Sequence, residues 1–431
     1  MAKANAPDAQ NTSRHRRIVP FVVALFFAWG FATVLNDTLI PKLKGLFELS
    51  YAEVMLTQFS FFLAYLFFSV PAGLLLSRIG YARGIIVGLA TMAAGYLLFV
   101  PAALAGAYPG FLAALFIVAA GITILQVAAN PLIALLGTPE TSHSRLNLAQ
   151  AFNSIGTTVG PTIGAQLILA TGVAIPAAAK LTPVTLAAYR QSEAHALQWP
   201  FLAFAALLAG LGIIFWLLRR APLPAVDKAA SLGSTLALLE NPRLAFGMLS
   251  IFIYVGAEVS IGSVMTNYLM MPHTLGLAAQ QAGRLVSFYW GGAMIGRFVG
   301  AGVLRVVRAG HVLSFCAIVA CLLAAISALS AGPIAAVTLV AIGLFNSIQF
   351  PTIFTIAIEG ENGDTPQASA LLCMAIVGGA VIPLVTGALA DRIGLPLSLF
   401  VPAACYVWIA TYGFIGRNPA TKRTAEAARA I

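Results

Sequence analysis

Charge is what this chain lacks. Only 9% of its 431 residues are Asp, Glu, Lys or Arg, against 60% hydrophobic residues. A water-soluble domain carries roughly 25% charged residues, so this chain cannot cover a solvated surface, and a soluble multi-domain enzyme is excluded. Cysteine is scarce too. Cys316, Cys321, Cys373 and Cys405 lie in apolar stretches with no CxxC pair, which indicates neither a zinc site nor a disulfide framework. The five histidines, 15, 143, 195, 273 and 311, fall in loops, tails or span edges and form no ligand pair, so no metal site is expected. No Walker A sequence occurs, which argues against an ATP-driven pump. No nucleophile–base constellation occurs either, so neither an enzyme nor a cofactor is expected.

What is abundant is apolar sequence in runs of about 20 residues, the length needed to cross a bilayer. The chain is polar through Arg17, and no small-residue cleavage site closes a short apolar region after it, so a first spanning helix is expected there. Polar and Pro/Gly-rich breaks place spans 1–6 near 18–40, 54–77, 84–105, 109–136, 147–171 and 199–218. Spans 7–12 follow near 244–270, 281–304, 311–331, 333–358, 366–389 and 396–416. The expected fold is an all-α membrane protein with twelve transmembrane helices in two pseudo-symmetric six-helix bundles, at 18–218 and 244–416. Residues 1–17 and 417–431 are polar ends. The segment 219–243 opens RRAPLP and reads as a linker with a short surface helix at 231–240.

The net charge of +10 would suggest nucleic acid in a soluble protein, but here it follows the positive-inside rule. With both termini cytoplasmic, 18 of the 24 Lys and Arg residues fall inside and 6 outside. Nucleic acid is not needed as a partner.

The two halves resemble each other. With an offset of 220, GITILQVAANPLI (121–133) lies over AIGLFNSIQFPTI (341–353), which sets Gln126 on Asn346 and Pro131 on Pro351. Proline-interrupted spans at equivalent positions of two halves point to a substrate site near the membrane midplane.

Two acids lie well within predicted spans. Asp37, in LNDTLIP, falls in the outer half of span 1, and Glu258, in YVGAEVSIGS, falls near the middle of span 7. A charge at mid-bilayer costs about 2.5–3.5 kcal/mol on insertion scales, so such residues are candidates for binding a coupling proton or sodium ion. The competing reading is a carboxylate paired with a structural base. The bases within the spans, Arg284 and Arg297, both lie toward the ends of span 8. Irregular backbone around Asn36, Asp37 and Pro41 offers carbonyls that suit a sodium ion at Asp37.

A second set is neutral: Gln58, Gln126, Asn130, Gln150, Asn153, Asn267, Asn346 and Gln349, with Asn36 beside Asp37. Amides both donate and accept, which suits the alternating hydroxyls of a sugar. Gln150 with Asn153, and Asn346 with Gln349, are each three apart and so share a helix face. Trp29, Tyr65, Tyr254, Tyr289, Trp290 and Phe350 stand near them, as packing or as platforms for a pyranose face. The competing reading for the amides is hydrogen bonding between spans. The glycine-rich GGAMIGRFVG run (291–300) lies in a span and reads as helix packing.

These features resemble a known family. Twelve spans, the basic central loop, GLLLSRIG (73–80) and GRFVG (296–300) are similar to the major facilitator superfamily, although Ser77 stands where its loop 2–3 motif usually has Asp. LNDTLIP, AANPLIALLG, RLNLAQAFNSIG (145–156) and IQFPTIFTIAIEG (348–360) are similar to its fucose/glucose/galactose symporter branch. In fucose-transporting members, protonation falls on an Asp of span 1 and a Glu of span 4. The resemblance thus implies a coupling role for Asp37, while Gln126 stands where the Glu would be. Gln150 and Asn153 match the branch's sugar-facing pair on span 5. ITILQVAANP and YVGAEVSIGS look like its bacterial glucose/galactose transporters, some of them sodium-coupled, which adds weight to Glu258.

The resulting expectation is a monomeric, cation-coupled importer of glucose/galactose-type hexoses in the bacterial inner membrane, driven by sodium or protons. Fucose, N-acetylglucosamine or a disaccharide are the alternative cargoes. A sugar or drug antiporter and a non-transporting sugar sensor are the alternative functions.

Overall fold

A computed structural model describes residues 18–35, 51–105, 107–164, 183–220, 223–224, 231–359 and 364–416. Lipid offers backbone N–H and C=O groups no partner, so apolar runs of this length fold as helices that bond internally. Among the described residues there is no strand.

The first half comprises span 1 (Ile18–Leu35), a long helix Tyr51–Ala105, span 4 (Tyr108–Leu135), span 5 (Ser142–Gly164) and span 6 (Pro183–Leu218). The long helix holds spans 2 and 3. It turns at Gly80, whose φ of 78° is open to glycine alone at low cost, so the loop 2–3 shrinks to one kink. The second half comprises span 7 (Pro242–Met270), span 8 (Ala279–Val303) and span 9 (Ala309–Leu329). Span 10 comes in two pieces, Gly332–Asn346 and Gln349–Ala357. Span 11 runs from Thr365–Met374 into Gly378–Ile393, and span 12 is Phe400–Ile415. In the linker, a short helix Leu232–Ala237 starts on Ser231, whose hydroxyl accepts from the Ser234 N–H.

Nine helical stretches among the described residues are long and apolar enough to cross a membrane, and one of these, Leu56–Ala105, contains two spans. The spans that fall short are 5 and 8. Each carries polar side chains along its length: Arg145, Asn147, Gln150 and Asn153 on one, Gln280, Gln281, Arg284 and Arg297 on the other. These two helices pack on each other across the boundary between the halves, where Asn147 and Arg297 bond across to the opposite helix. Span 11 against spans 2 and 4, and the second piece of span 10 against span 5, complete the boundary.

Small residues set the closeness of approach. Gly292, Gly296 and Gly300 recur every four residues on span 8. A Cβ would lie 3.3 Å from Leu344 N at the first, 2.4 Å from Ser347 Oγ at the second and 2.2 Å from Ile348 Cγ2 at the third. This stripe lets span 8 lie against the break in span 10, so the GGAMIGRFVG run is a packing device.

The repeated prolines act alike in both halves. A proline lacks the N–H that would bond the carbonyl four residues earlier. Pro131 therefore leaves the Val127 carbonyl without its helical donor, and Pro351 does the same to Ser347. Each freed carbonyl has found another donor: Ser369 Oγ of span 11 at 2.9 Å for Val127, and Arg297 Nε at 3.1 Å for Ser347. Span 4 continues as helix through its proline, whereas span 10 breaks at Ser347–Ile348.

Candidate functional site between the halves

One end of the boundary is clasped. This is the end where span 4 finishes, span 5 begins and spans 8 and 10 finish. There Ser144 Oγ donates to the Ala301 carbonyl at 2.6 Å, and Asn147 Nδ2 donates to the Arg297 carbonyl at 2.7 Å. The Arg297 guanidinium reaches back to the Gln150 carbonyl at 3.3 Å and to Ser154 Oγ. His143 Nδ1 and Thr355 Oγ1 share a hydrogen bond of 2.5 Å, and Ser369 bonds Val127 as above. His143 stands in the first turn of span 5. Arg145, from the RLNLAQAFNS segment, turns away from the boundary and caps span 4, donating to the carbonyls of Ile133, Ala134 and Thr138. On the second half, Arg243 pairs with Glu359 and donates to the Ile356 carbonyl at 2.7 Å.

Midway along the spans lies a layer of amides and tyrosines. On the first half, Gln126 Nε2 donates to the Tyr65 hydroxyl at 2.8 Å, and Gln150 Nε2 lies 3.5 Å from Asn130 Oδ1. Asn153 donates to the Phe26 carbonyl of span 1 at 3.0 Å, so it and Gln150 serve different partners although they share a helix face. On the second half, Asn346 Nδ2 donates to the Tyr289 hydroxyl at 2.8 Å, and Gln349 Nε2 donates to Asn346 Oδ1 at 3.2 Å. Asn346 and Gln349 thus bond each other across the break. The layer is not saturated. Gln349 Oε1 is buried without a hydrogen-bond partner among the described residues, and Asn130 Nδ2 has only the weak thiol acceptor of Cys373 beside it.

Glu258 belongs to this layer. Its Oε1 lies 2.9 Å from the Tyr254 hydroxyl, which also lies 2.9 Å from the Asn346 carbonyl. Tyr254, Tyr289 and Tyr406 are fully buried around it. Arg297, toward the end of span 8 by sequence, is within electrostatic reach of Glu258.

Toward the opposite end, a cavity of about 340 Å³ separates the halves. Thr33, Thr57, Gln58 and Phe61 line it from one side, and Ser263 and Trp290 from the other. The hydroxyls of Thr33 and Ser263 donate to carbonyls four residues back, which leaves their lone pairs to accept. Trp290 is 40% exposed and packs edge-on against Tyr289, and Gly262 makes room for its ring, since a Cβ there would lie 3.3 Å from Trp290 Cζ2. Glu258 lies one helical turn below Gly262.

Of the residues singled out from sequence, Gln58 lines the cavity, and Gln126, Asn130, Gln150, Asn153, Asn346, Gln349 and Glu258 lie in or beside the layer beneath it. Asn36 and Asp37, with the sodium site suggested at Asp37, lie outside the described residues. Sequence reasoning missed the bridging role of Arg297, the His143–Thr355 contact, Ser369, and Gln367, which is 1% exposed with both amide atoms unpartnered among the described residues. A signal existed for two of them. A proline in a span announces a freed carbonyl, though not which donor meets it.

Comparison with known proteins agrees with this geometry. The profile of the Major Facilitator Superfamily matches residues 21–360. The chain is 48% identical over 392 residues to the glucose/galactose transporter of Brucella abortus biovar 1 (strain 9-941), covering 91% of this chain and 92% of that one. It is 34% identical over 421 residues to the L-fucose-proton symporter of Escherichia coli (strain K12), covering 94% of each. Among solved structures it is similar to FucP, a transporter of that superfamily in the outward conformation, with a TM-score of 0.87, 31% identity, and coverage of 94% of this chain and 100% of the other. The two halves, the proline-broken repeat and the polar layer between them are those of a transporter and not of an enzyme, and the chain belongs to the Major Facilitator Superfamily.

Proposed function

We propose that this protein is a cation-coupled monosaccharide symporter that imports glucose/galactose-type hexoses by alternating access across the bacterial inner membrane, with both termini cytoplasmic. One observation carries the reading. A buried layer in which Asn130 Nδ2 on one half meets only the weak thiol acceptor of Cys373, and Gln349 Oε1 on the other has no partner among the described residues, lies on the clasped side of a cavity between the halves. A buried polar atom left without a good partner costs about 1–3 kcal/mol, and a ligand rich in hydroxyls offers a better one to each. The relatives named as glucose/galactose transporters and as fucose–proton symporters support the sugar class and the coupling.

In this reading the clasped end is cytoplasmic and the cavity faces outward. A hexose enters past Gln58 and Trp290 and then meets Gln126, Asn130, Gln150, Asn153, Asn346 and Gln349, and Asn36 completes the sugar-binding set read from the sequence. Asp37 and Glu258 bind the driving ion, and the proton is the ion that the named symporters support. A ligand shifts a two-state carrier only through different affinities for its states. An ionised Asp37 disfavours the occluded state, and ion binding neutralises it so that the loaded carrier turns.

The test is uptake of labelled glucose, galactose, fucose and N-acetylglucosamine into proteoliposomes, with sodium and pH gradients imposed separately. Glucose and galactose uptake driven by the pH gradient is the expected result. Asp37→Asn should remove gradient-driven uptake while leaving sugar binding, and unchanged uptake in that variant sinks the mechanism.

A further inference from the structure

A continuous chain of contacts joins Glu258 to the clasp. The Tyr254 hydroxyl stands between Glu258 Oε1 and the Asn346 carbonyl, at 2.9 Å from each. The next carbonyl along the break, that of Ser347, accepts from Arg297 Nε at 3.1 Å. The same guanidinium crosses to the other half at the Gln150 carbonyl and Ser154 Oγ, and the backbone carbonyl of Arg297 accepts from Asn147. Every acceptor on the guanidinium is neutral, and among the described residues no carboxylate forms a salt bridge with it. The titratable and charged groups that face Glu258 are Tyr254 on its own helix, Tyr289 and Arg297 from span 8, and Tyr406 from span 12. Arg297 is the one cation in that set.

We propose that Arg297 is the positioning residue that ties the charge on Glu258 to the clasped end of the boundary. The inference rests on the coupled-carrier reading above. With Glu258 ionised, its charge balances Arg297 through the break in span 10, and the guanidinium can stay in the sealed contact between spans 5 and 8. When Glu258 takes up its cation, Arg297 becomes an uncompensated charge in a part-buried contact, an arrangement that disfavours closure. Parting of spans 5 and 8 gives the guanidinium fuller access to water and relieves it. Loading at the cavity side thus loosens the clasp at the other end, which is the order a symporter requires. The arrangement assigns the second acid of coupling to span 7, in a chain whose span 4 carries Gln126.

The experiment uses the full chain carrying Ala301→Cys in proteoliposomes, since the Ala301 carbonyl is one of the clasp acceptors. The maleimide labelling rate of residue 301 is measured across pH steps at fixed sodium and across sodium steps at fixed pH. The same chain without the added cysteine gives the background, and denatured chain corrects for thiol ionisation at each pH. Ion loading should raise the rate at least about fivefold, the lower range of ordinary coupling between sites. Glu258→Gln should label fast in every condition, Arg297→Lys should retain the response, and Arg297→Gln should lose it. An Arg297→Gln response as large as that of the parent overturns the proposal, as does a parent that transports sugar without any response at residue 301.

Thermal stabilisation by glucose or galactose checks that each variant is folded. Should Arg297→Gln not fold, Glu258→Gln decides alone: slow labelling that still rises on ion addition overturns the proposal. A parent that moves no sugar under any gradient refutes the carrier reading itself, a result distinct from these.

Discussion

Ser369 Oγ of span 11 donates to the Val127 carbonyl of span 4 at 2.9 Å, so a hydroxyl of one half supplies the hydrogen bond that Pro131 denies the other. Both residues are buried. Ser369→Ala leaves that carbonyl unpaired only while the end is clasped, because water satisfies it once the halves part. The cost of about 1–3 kcal/mol therefore falls on one state and moves the equilibrium roughly five- to hundredfold toward the parted one. Spin labels at Arg83→Cys and Arg308→Cys, both exposed near the clasped end, should report a longer distance in Ser369→Ala. An unchanged distance distribution would show that the bond contributes nothing to closure.

Much of this architecture is legible in the chain. Twenty-residue apolar runs fix the spans because lipid leaves no alternative to helix, and even the polar spans 5 and 8 show through their breaks. The Pro131 and Pro351 correspondence exposes the repeat. Its consequence does not show: span 4 stays whole while span 10 opens at Ser347–Ile348, and the donors that meet the freed carbonyls, Ser369 and Arg297, come from distant segments. For the same reason Arg297 reads as an end-of-span base until the glycine stripe of span 8 brings it over that break. The amides were visible as polar residues in apolar runs. That Gln126 bonds Tyr65 and Asn346 bonds Tyr289, while Gln349 Oε1 keeps no partner among the described residues, is a property of packing between distant segments.

Trp290 should matter to sugar affinity more than to turnover. Its ring lines the cavity and is held edge-on by Tyr289, so one face is available to the C–H surface of a pyranose. Loss of such a contact is worth about 0.5–1.5 kcal/mol, which predicts a rise in KM for hexose of roughly two- to tenfold in Trp290→Ala. Trp290→Phe keeps a ring and should recover most of the loss, with kcat little altered in either. A Trp290→Ala protein with the parent KM would remove the cavity wall from the sugar's path.

Gly296 offers a stability test that separates packing from composition. A Cβ there would sit 2.4 Å from Ser347 Oγ and 2.5 Å from the Leu344 carbonyl, so Gly296→Ala must push span 8 off the break in span 10. Overpacking of this kind costs about 1–3 kcal/mol. Gly291, five residues earlier on the same helix, has nothing within 4 Å of its Cβ position, so Gly291→Ala meets no obstacle and gains from the reduced freedom of the unfolded chain. Thermal unfolding in detergent should therefore show a lowered Tm for the first variant and an equal or higher Tm for the second. Because Gly296 precedes Arg297, its displacement also carries the guanidinium away from Ser347 and Ser154. The Gly296→Ala protein should accordingly label faster at Ala301→Cys than the Gly291→Ala protein does, a difference that a general loss of helix stability would not produce.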